Sequence, residues 1–153
     1  MLRLSKKADY ALMAMKHLAR NTDSAPASTS AREIAEQYDI PIELMAKVLQ
    51  RLARNGLLTS HQGTRGGYQL SRLAWQITVA DVIQAIEGPV TVTACSTDDN
   101  HCEQYSKCNV RDPLWRVRER ILAALGECTI AELASEAPPV RAAVLHTNLQ
   151  GQA

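Results

Sequence analysis

The stretch that most constrains the fold runs from Ser30 to Leu70. Ser30-Ala-Arg-Glu33 is a capping box, in which a hydroxyl and a carboxylate three residues apart each satisfy the other's backbone N–H, so a helix opens here. Ala31, Ile34, Ala35 and Tyr38 fall on its inner side, and it stops near Asp39. Ile40-Pro41 then turns the chain, and Pro41 suits the first position of a following helix, where no N–H is needed. That helix reaches about Asn55, with Leu44, Val48, Leu49 and Leu52 as its core stripe and Glu43, Lys47, Gln50, Arg51 and Arg54 on other faces. Gly56 fits the position just past a helix end, where positive φ is required. Residues 57–60 form a short strand, residues 61–67 a turn with three glycines, and residues 68–70 a returning strand. Two helices joined by a tight turn and followed by a hairpin predict a mainly α chain built on a winged helix-turn-helix.

Such a unit can place its second helix in a major groove and read base edges. The hairpin tip reaches the adjacent minor groove, where Arg65 is the natural probe. A helix-turn-helix can also be a plain packing unit, but Arg, Lys and Gln on the exposed positions favour double-stranded DNA as the partner. Net charge is only +1, yet residues 1–75 hold 11 basic against 6 acidic side chains (+5) and residues 76–153 hold 6 against 10 (−4). A basic first half is what a polyanion partner calls for.

Around this unit the periodicity predicts further helices. Residues 5–20 carry Ala8, Ala11, Leu12, Met15, Leu18 and Ala19 at helical spacing, preceded by Leu4 and capped by Ser5. Residues 21–30 read as a polar linker. Thr78 and Asp81 cap a short helix with Val79, Val82, Ile83 and Ile86 on its apolar side, ended by Gly88-Pro89, and residues 90–94 read as extended. Asp112-Pro113 starts a long helix to about Leu125, closed by Gly126, with Leu114, Val117, Ile121, Ala124 and Leu125 recurring. A helix of this length is expected to make a homodimer, since two-fold half-sites call for one; the alternative is an internal core helix. Thr129 and Glu132 cap a last short helix. The organisation is a DNA-binding domain at 1–75, a loop and dimerisation helix at 76–135, and a flexible tail at 136–153.

Cys95, Cys102 and Cys108 lie in a loop, CSTDDNHCEQYSKC, too polar to form a core. Zinc knuckles place cysteines two to four residues apart, and no such pair exists here. The wider spacing favours a larger object, an iron–sulfur cluster, 2Fe–2S or 4Fe–4S, which takes four protein ligands, of which three are local. No apolar run approaches membrane-spanning length and the N-terminus lacks signal-peptide character, so a cytoplasmic protein with reduced thiols is expected. Cys128 stands alone and reads as structural. No Ser/His/Asp set, paired carboxylates or nucleotide-binding glycine motif points to an enzyme. A thiol- or zinc-based regulator remains an alternative, as does an electron-transfer iron–sulfur protein, which would need neither helix-turn-helix nor wing.

Several stretches together resemble one family. The opening Arg3-Leu-Ser-Lys-Lys-Ala-Asp-Tyr-Ala-Leu12, the wing Gly63-Thr-Arg-Gly-Gly-Tyr-Gln-Leu70, the cysteine loop, Leu114-Trp115 and Thr129-Ile-Ala-Glu-Leu133 resemble the bacterial Rrf-type winged-helix regulators, which include IscR-like and NsrR-like proteins. The likeness covers about residues 1–135. It implies a homodimeric transcriptional regulator, a repressor of iron–sulfur assembly genes of the Suf type, with nitric-oxide or redox sensing as the alternative. It implies Cys95, Cys102 and Cys108 as ligands, although the first gap is one residue longer than usual. IscR-like proteins use a histidine three residues after the last cysteine; here that residue is Arg111, which cannot ligate. NsrR-like proteins take an aspartate from the partner's first helix, and Asp9 stands in the matching context. Asp9 is therefore the expected fourth ligand, with His101 as the alternative. Glu43 and Lys47, Arg51 as a phosphate contact, and Arg65 in the wing are the expected DNA contacts. Ala46 replaces an acidic base-reading residue of IscR-like proteins, so operator preference does not carry over.

Overall fold

A computed structural model describes residues 3–21, 28–93 and 102–135. In chain order it has α1 (Lys6–Asn21), α2 (Ala31–Gln37), α3 (Ile42–Arg54), β1 (Leu58–His61), β2 (Gly67–Leu70), α4 (Val79–Glu87), α5 (Arg111–Glu127) and α6 (Ile130–Ala134). Single 3-10 turns occupy Ala74–Gln76 and Tyr105–Lys107.

The helix starts follow from local hydrogen bonding. Ser5 Oγ accepts from the Ala8 N–H at 3.2 Å. Ser30 Oγ accepts from the Glu33 N–H at 3.2 Å while Glu33 accepts from the Ser30 N–H at 2.7 Å. Thr78 with Asp81 and Thr129 with Glu132 repeat this reciprocal cap. Hydrogen bonds from the Ser30 backbone and side chain hold the Glu33 carboxyl below the usual carboxylate range. At the end of α3 the Leu57 N–H reaches the Leu52 carbonyl and the Gly56 N–H the Ala53 carbonyl, both at 3.0 Å. With Gly56 at φ 76, this is the two-bond glycine stop that satisfies the last carbonyls.

Four local expectations are corrected. Pro41 lies one residue ahead of the helix, with ψ 128, and its carbonyl accepts from Leu44 and Met45. Met45 is the fully buried residue of the first turn of α3, and Leu44, at the edge of the stripe, is only half-buried. Gly126 does not close α5 but lies inside it; the helix ends because Cys128 turns extended and gives its carbonyl to the Val79 N–H at 2.9 Å. The run after Pro89 makes bends at 92–93 rather than a strand, and Ala94 lies outside the described residues.

One buried cluster joins Ala8, Ala11, Ala14, Met15 and Leu18 of α1 to Ile34, Met45, Leu49, Leu52, Val82 and Ile86, and takes in Ile130 of α6. The alanines of α1 let its neighbours approach closely, and Met, Leu and Ile fill the interior of a chain without Phe. β1 and β2 pair antiparallel, Leu58 opposite Leu70 and His61 opposite Gly67. The end of the linker adds a short rung to this hairpin. Thr29 exchanges backbone hydrogen bonds with Tyr68 at 3.1 and 2.8 Å. A side chain at Gly67 would sit 2.6 Å from the Thr29 carbonyl, so only glycine lets the wing dock here.

Candidate DNA interface and cluster site

Glu43, Lys47, Gln50 and Arg54 form an exposed ridge along α3, spaced so that they share one helix face. Its opposite side, with Met45, Val48, Leu49 and Leu52, is buried. The ridge is therefore held rigidly while its polar ends stay accessible. Arg51 is exposed as a residue, yet its Nε donates to the Ala85 carbonyl at 3.0 Å. Arg65 is exposed in the hairpin turn, and its carbonyl accepts from the Ser28 hydroxyl at 2.6 Å. The linker thus holds the backbone of the wing tip and leaves the Arg65 side chain exposed. Glu43, Lys47 and Arg65 are all exposed on the helix-turn-helix and its wing.

The cysteine loop is described from residue 102 onward; Cys95 and His101 lie outside the described residues. Cys102 is exposed and Cys108 half-buried, and both are free thiols. The Cys102 carbonyl accepts from the Tyr105 N–H at 3.0 Å, which curls the segment between the two cysteines. Asp9 lies half-buried in the first turn of α1, its N–H bonded to the Ser5 carbonyl at 3.1 Å. Among the described residues of one chain, no three Cys, His, Asp or Glu side chains group as a metal site. Two soft thiolates flanking a polar curl fit the donor chemistry of an iron–sulfur cluster. Cys95 and a fourth donor would complete the set.

Arg111 and Arg118 hold the loop's arms to α5, a role the sequence reading did not give them. Arg111 donates to the Tyr105 carbonyl at 3.3 Å and to Asp112 at 3.0 Å, and its guanidinium lies 4.5 Å over the Tyr105 ring. The Asp112 carboxylate raises the Arg111 pKa still further above its ordinary value. Arg118 donates through Nε to the Val90 carbonyl at 2.9 Å and stacks 4.8 Å over Trp115. Their spacing of seven puts both on one face of the helix, a signal available in the sequence. Cys128 is half-buried, and burial pushes its thiol up, as suits a structural residue.

α5 itself has no buried residue, and Val110, Trp115 and Val117 are 53%, 51% and 41% exposed at its start and along it. Among the described residues no helix is long and apolar enough to cross a membrane.

The fold, with its exposed polar ridge on α3 and Arg65 in the wing, is that of a winged-helix, DNA-binding transcriptional regulator. The chain belongs to the Rrf2 family, described as iron-dependent transcriptional regulators, whose pattern matches residues 4–136. It is a regulator and not an enzyme. It is 35% identical over 133 residues to the HTH-type transcriptional regulator IscR of Cronobacter sakazakii, covering 86% of this chain and 80% of that protein. The Xenorhabdus nematophila IscR matches at the same identity, covering 86% and 79%. Among solved structures, CymR, the global cysteine regulator of B. subtilis, superposes with a TM-score of 0.69 at 28% identity, covering 90% of this chain and 99% of that one. The T. potens IscR superposes at 0.66 with 26% identity, covering 86% and 85%.

Proposed function

We propose that this protein is a homodimeric, cytoplasmic sensor that holds an iron–sulfur cluster and uses its occupancy to control binding to an operator upstream of iron–sulfur assembly genes, as a repressor. The observation that carries the reading is the placement of the cysteine loop. Its described arm is clamped by Arg111 to the start of α5, a helix none of whose residues is buried within one chain and whose Trp115 and Val117 are exposed. A ligand set there lies beside the surface on which a second copy would pack.

Cys95, Cys102 and Cys108 would hold the cluster, with Asp9 donated from the second copy as the fourth ligand and His101 as the competing donor. When bound, the cluster would supply an occupancy that responds to iron supply and oxidation. A carboxylate is a weaker partner for such iron than a thiolate, which suits a sensor that must release. Asp9 belongs to α1, whose buried face packs against α3 and α4. A bond from the loop of one chain to α1 of the other would fix one winged unit relative to the dimer axis. Its loss would free that orientation, the two-state element that a switch needs.

Asp9→Ala tests the ligand assignment. The expected result is an altered visible spectrum, faster cluster loss in air, and duplex affinity that no longer depends on cluster loading. An unchanged spectrum and affinity would remove Asp9 from the ligand set and bring His101 forward.

A further inference from the structure

On the flank of α3 that meets α1 lies a cleft of about 270 Å³. Leu44, Val48 and Ile86 give it an apolar lining, and Lys7 from α1 faces Lys47, Arg51 and Arg54 from α3 across it. Among the described residues none of these four cations has a carboxylate partner. Like charges gathered without counter-charge repel one another and attract an anion.

Both banks are tied to the last turn of α4. The Ala85 carbonyl accepts from Arg51 Nε at 3.0 Å and so fixes the guanidinium plane. Arginine carries five N–H donors, which leaves the other four for a ligand. The Glu87 carboxylate accepts from the Ser5 N–H at 2.6 Å, which anchors the chain two residues before Lys7. Donors held in place before binding lose less entropy when an anion arrives.

We propose that this cleft seats a backbone phosphate of duplex DNA, with Lys7 and Arg54 joining Lys47 and Arg51 as its contacts. The proposal rests on the DNA-binding reading and deepens it. Lys47 and Arg54 belong both to the exposed ridge of α3 and to the rim of the cleft, so a duplex entered by that ridge brings its sugar-phosphate strand to the same rim. Lys7 then supplies a contact from outside the helix-turn-helix. The last turn of α4, which begins the run toward the cysteine loop, sets the spacing between the two banks.

The test is fluorescence anisotropy of the full-length protein on a mixed-sequence duplex across a range of salt concentrations. Lys7→Gln is expected to lower the slope of log affinity against log salt by about 0.9 for each protomer engaged, with similar losses on every sequence. Arg54→Gln is expected to do the same, and Lys7→Arg to restore the slope. Arg120→Gln, which removes the same charge from α5, is expected to leave it unchanged. Slopes for Lys7→Gln and Arg54→Gln equal to wild type overturn the proposal, as does an equal fall in Arg120→Gln. In either case the DNA-binding reading survives if the wild-type slope is steep. A wild-type protein with no salt-dependent affinity for any duplex overturns both.

Discussion

From α1 to α4 every helix has an inner side that its neighbours bury, whereas α5, at 17 residues the longest helix among the described residues, buries none of its own. The first region holds the core, with Met15, Ile34, Met45, Leu49 and Leu52 at zero exposure, and α6 adds Ile130 to it. The second meets the rest of the chain chiefly through α4 and through the Arg118 hydrogen bond to the Val90 carbonyl. The difference teaches a division of labour. The winged unit presents its ridge from a buried core, while α5 keeps every residue at least partly exposed within one chain. A sensor needs that asymmetry, because the part that changes state must be bound less firmly than the part that reads DNA.

The contrast can be broken from either side. The largest effect is expected from Val117→Asp, which would put an unpaired carboxylate into the proposed dimer seam, a burial that costs several kcal/mol. Sedimentation should show a monomer, while the melting of the winged unit is unchanged. A dimer that persists would mean that α5 is not the seam. Leu49→Ala should do the reverse, lowering unfolding stability by about 2–5 kcal/mol through the cavity it leaves. Chemical denaturation reads that loss, and a loss below about 1 kcal/mol would mean that this core is more pliable than its packing indicates.

A smaller effect is expected at His17, whose ring contacts the Tyr38 hydroxyl and Asn21, both at 3.1 Å. Burial lowers its pKa below the ordinary 6.5, partly offset by Glu33. The neutral ring is thus favoured in the fold, and the unfolded chain binds the proton more readily. This contribution is complete above about 6.5 and is lost as pH falls from there through the folded value. Melting temperature should drop over that window in wild type and drop less in His17→Gln. Parallel curves would mean that His17 does not carry the dependence.

Much of the winged unit was legible because its signals are local. Ser30 with Glu33, Thr78 with Asp81 and Thr129 with Glu132 are caps whose partners lie three residues apart, and Gly56 and Gly88 do hold the positive φ of helix ends. What was not legible depended on distant partners. Thr29 looks like linker until Tyr68 pairs with it, and Gly126 looks like a helix stop until the Cys128 carbonyl is claimed by Val79. Met45 rather than Leu44 lies at the centre of the stripe that Val48, Leu49 and Leu52 define, a spacing signal the sequence already held. At the candidate sites, Lys47, Arg51 and Arg65 were named from residue type and helix position. Lys7 and Arg54 were not, because only the packing of α1 against α3 brings them together. The clamp by Arg111 and Arg118 was passed over because arginines on a long exposed helix read as solvated charge.

The central claim is that Cys95, Cys102 and Cys108 hold an iron–sulfur cluster in a DNA-binding regulator. The measurement that meets it most directly is the visible absorption spectrum of anaerobically purified protein, with iron and acid-labile sulfide determined on the same sample. The account predicts a brown protein with thiolate-to-iron charge-transfer bands, iron and sulfide in near-equal amounts, and loss of both in Cys102→Ser. A colourless protein that remains so after reconstitution with iron and sulfide would contradict it. The winged helix would then need another chemistry to occupy its three-cysteine loop.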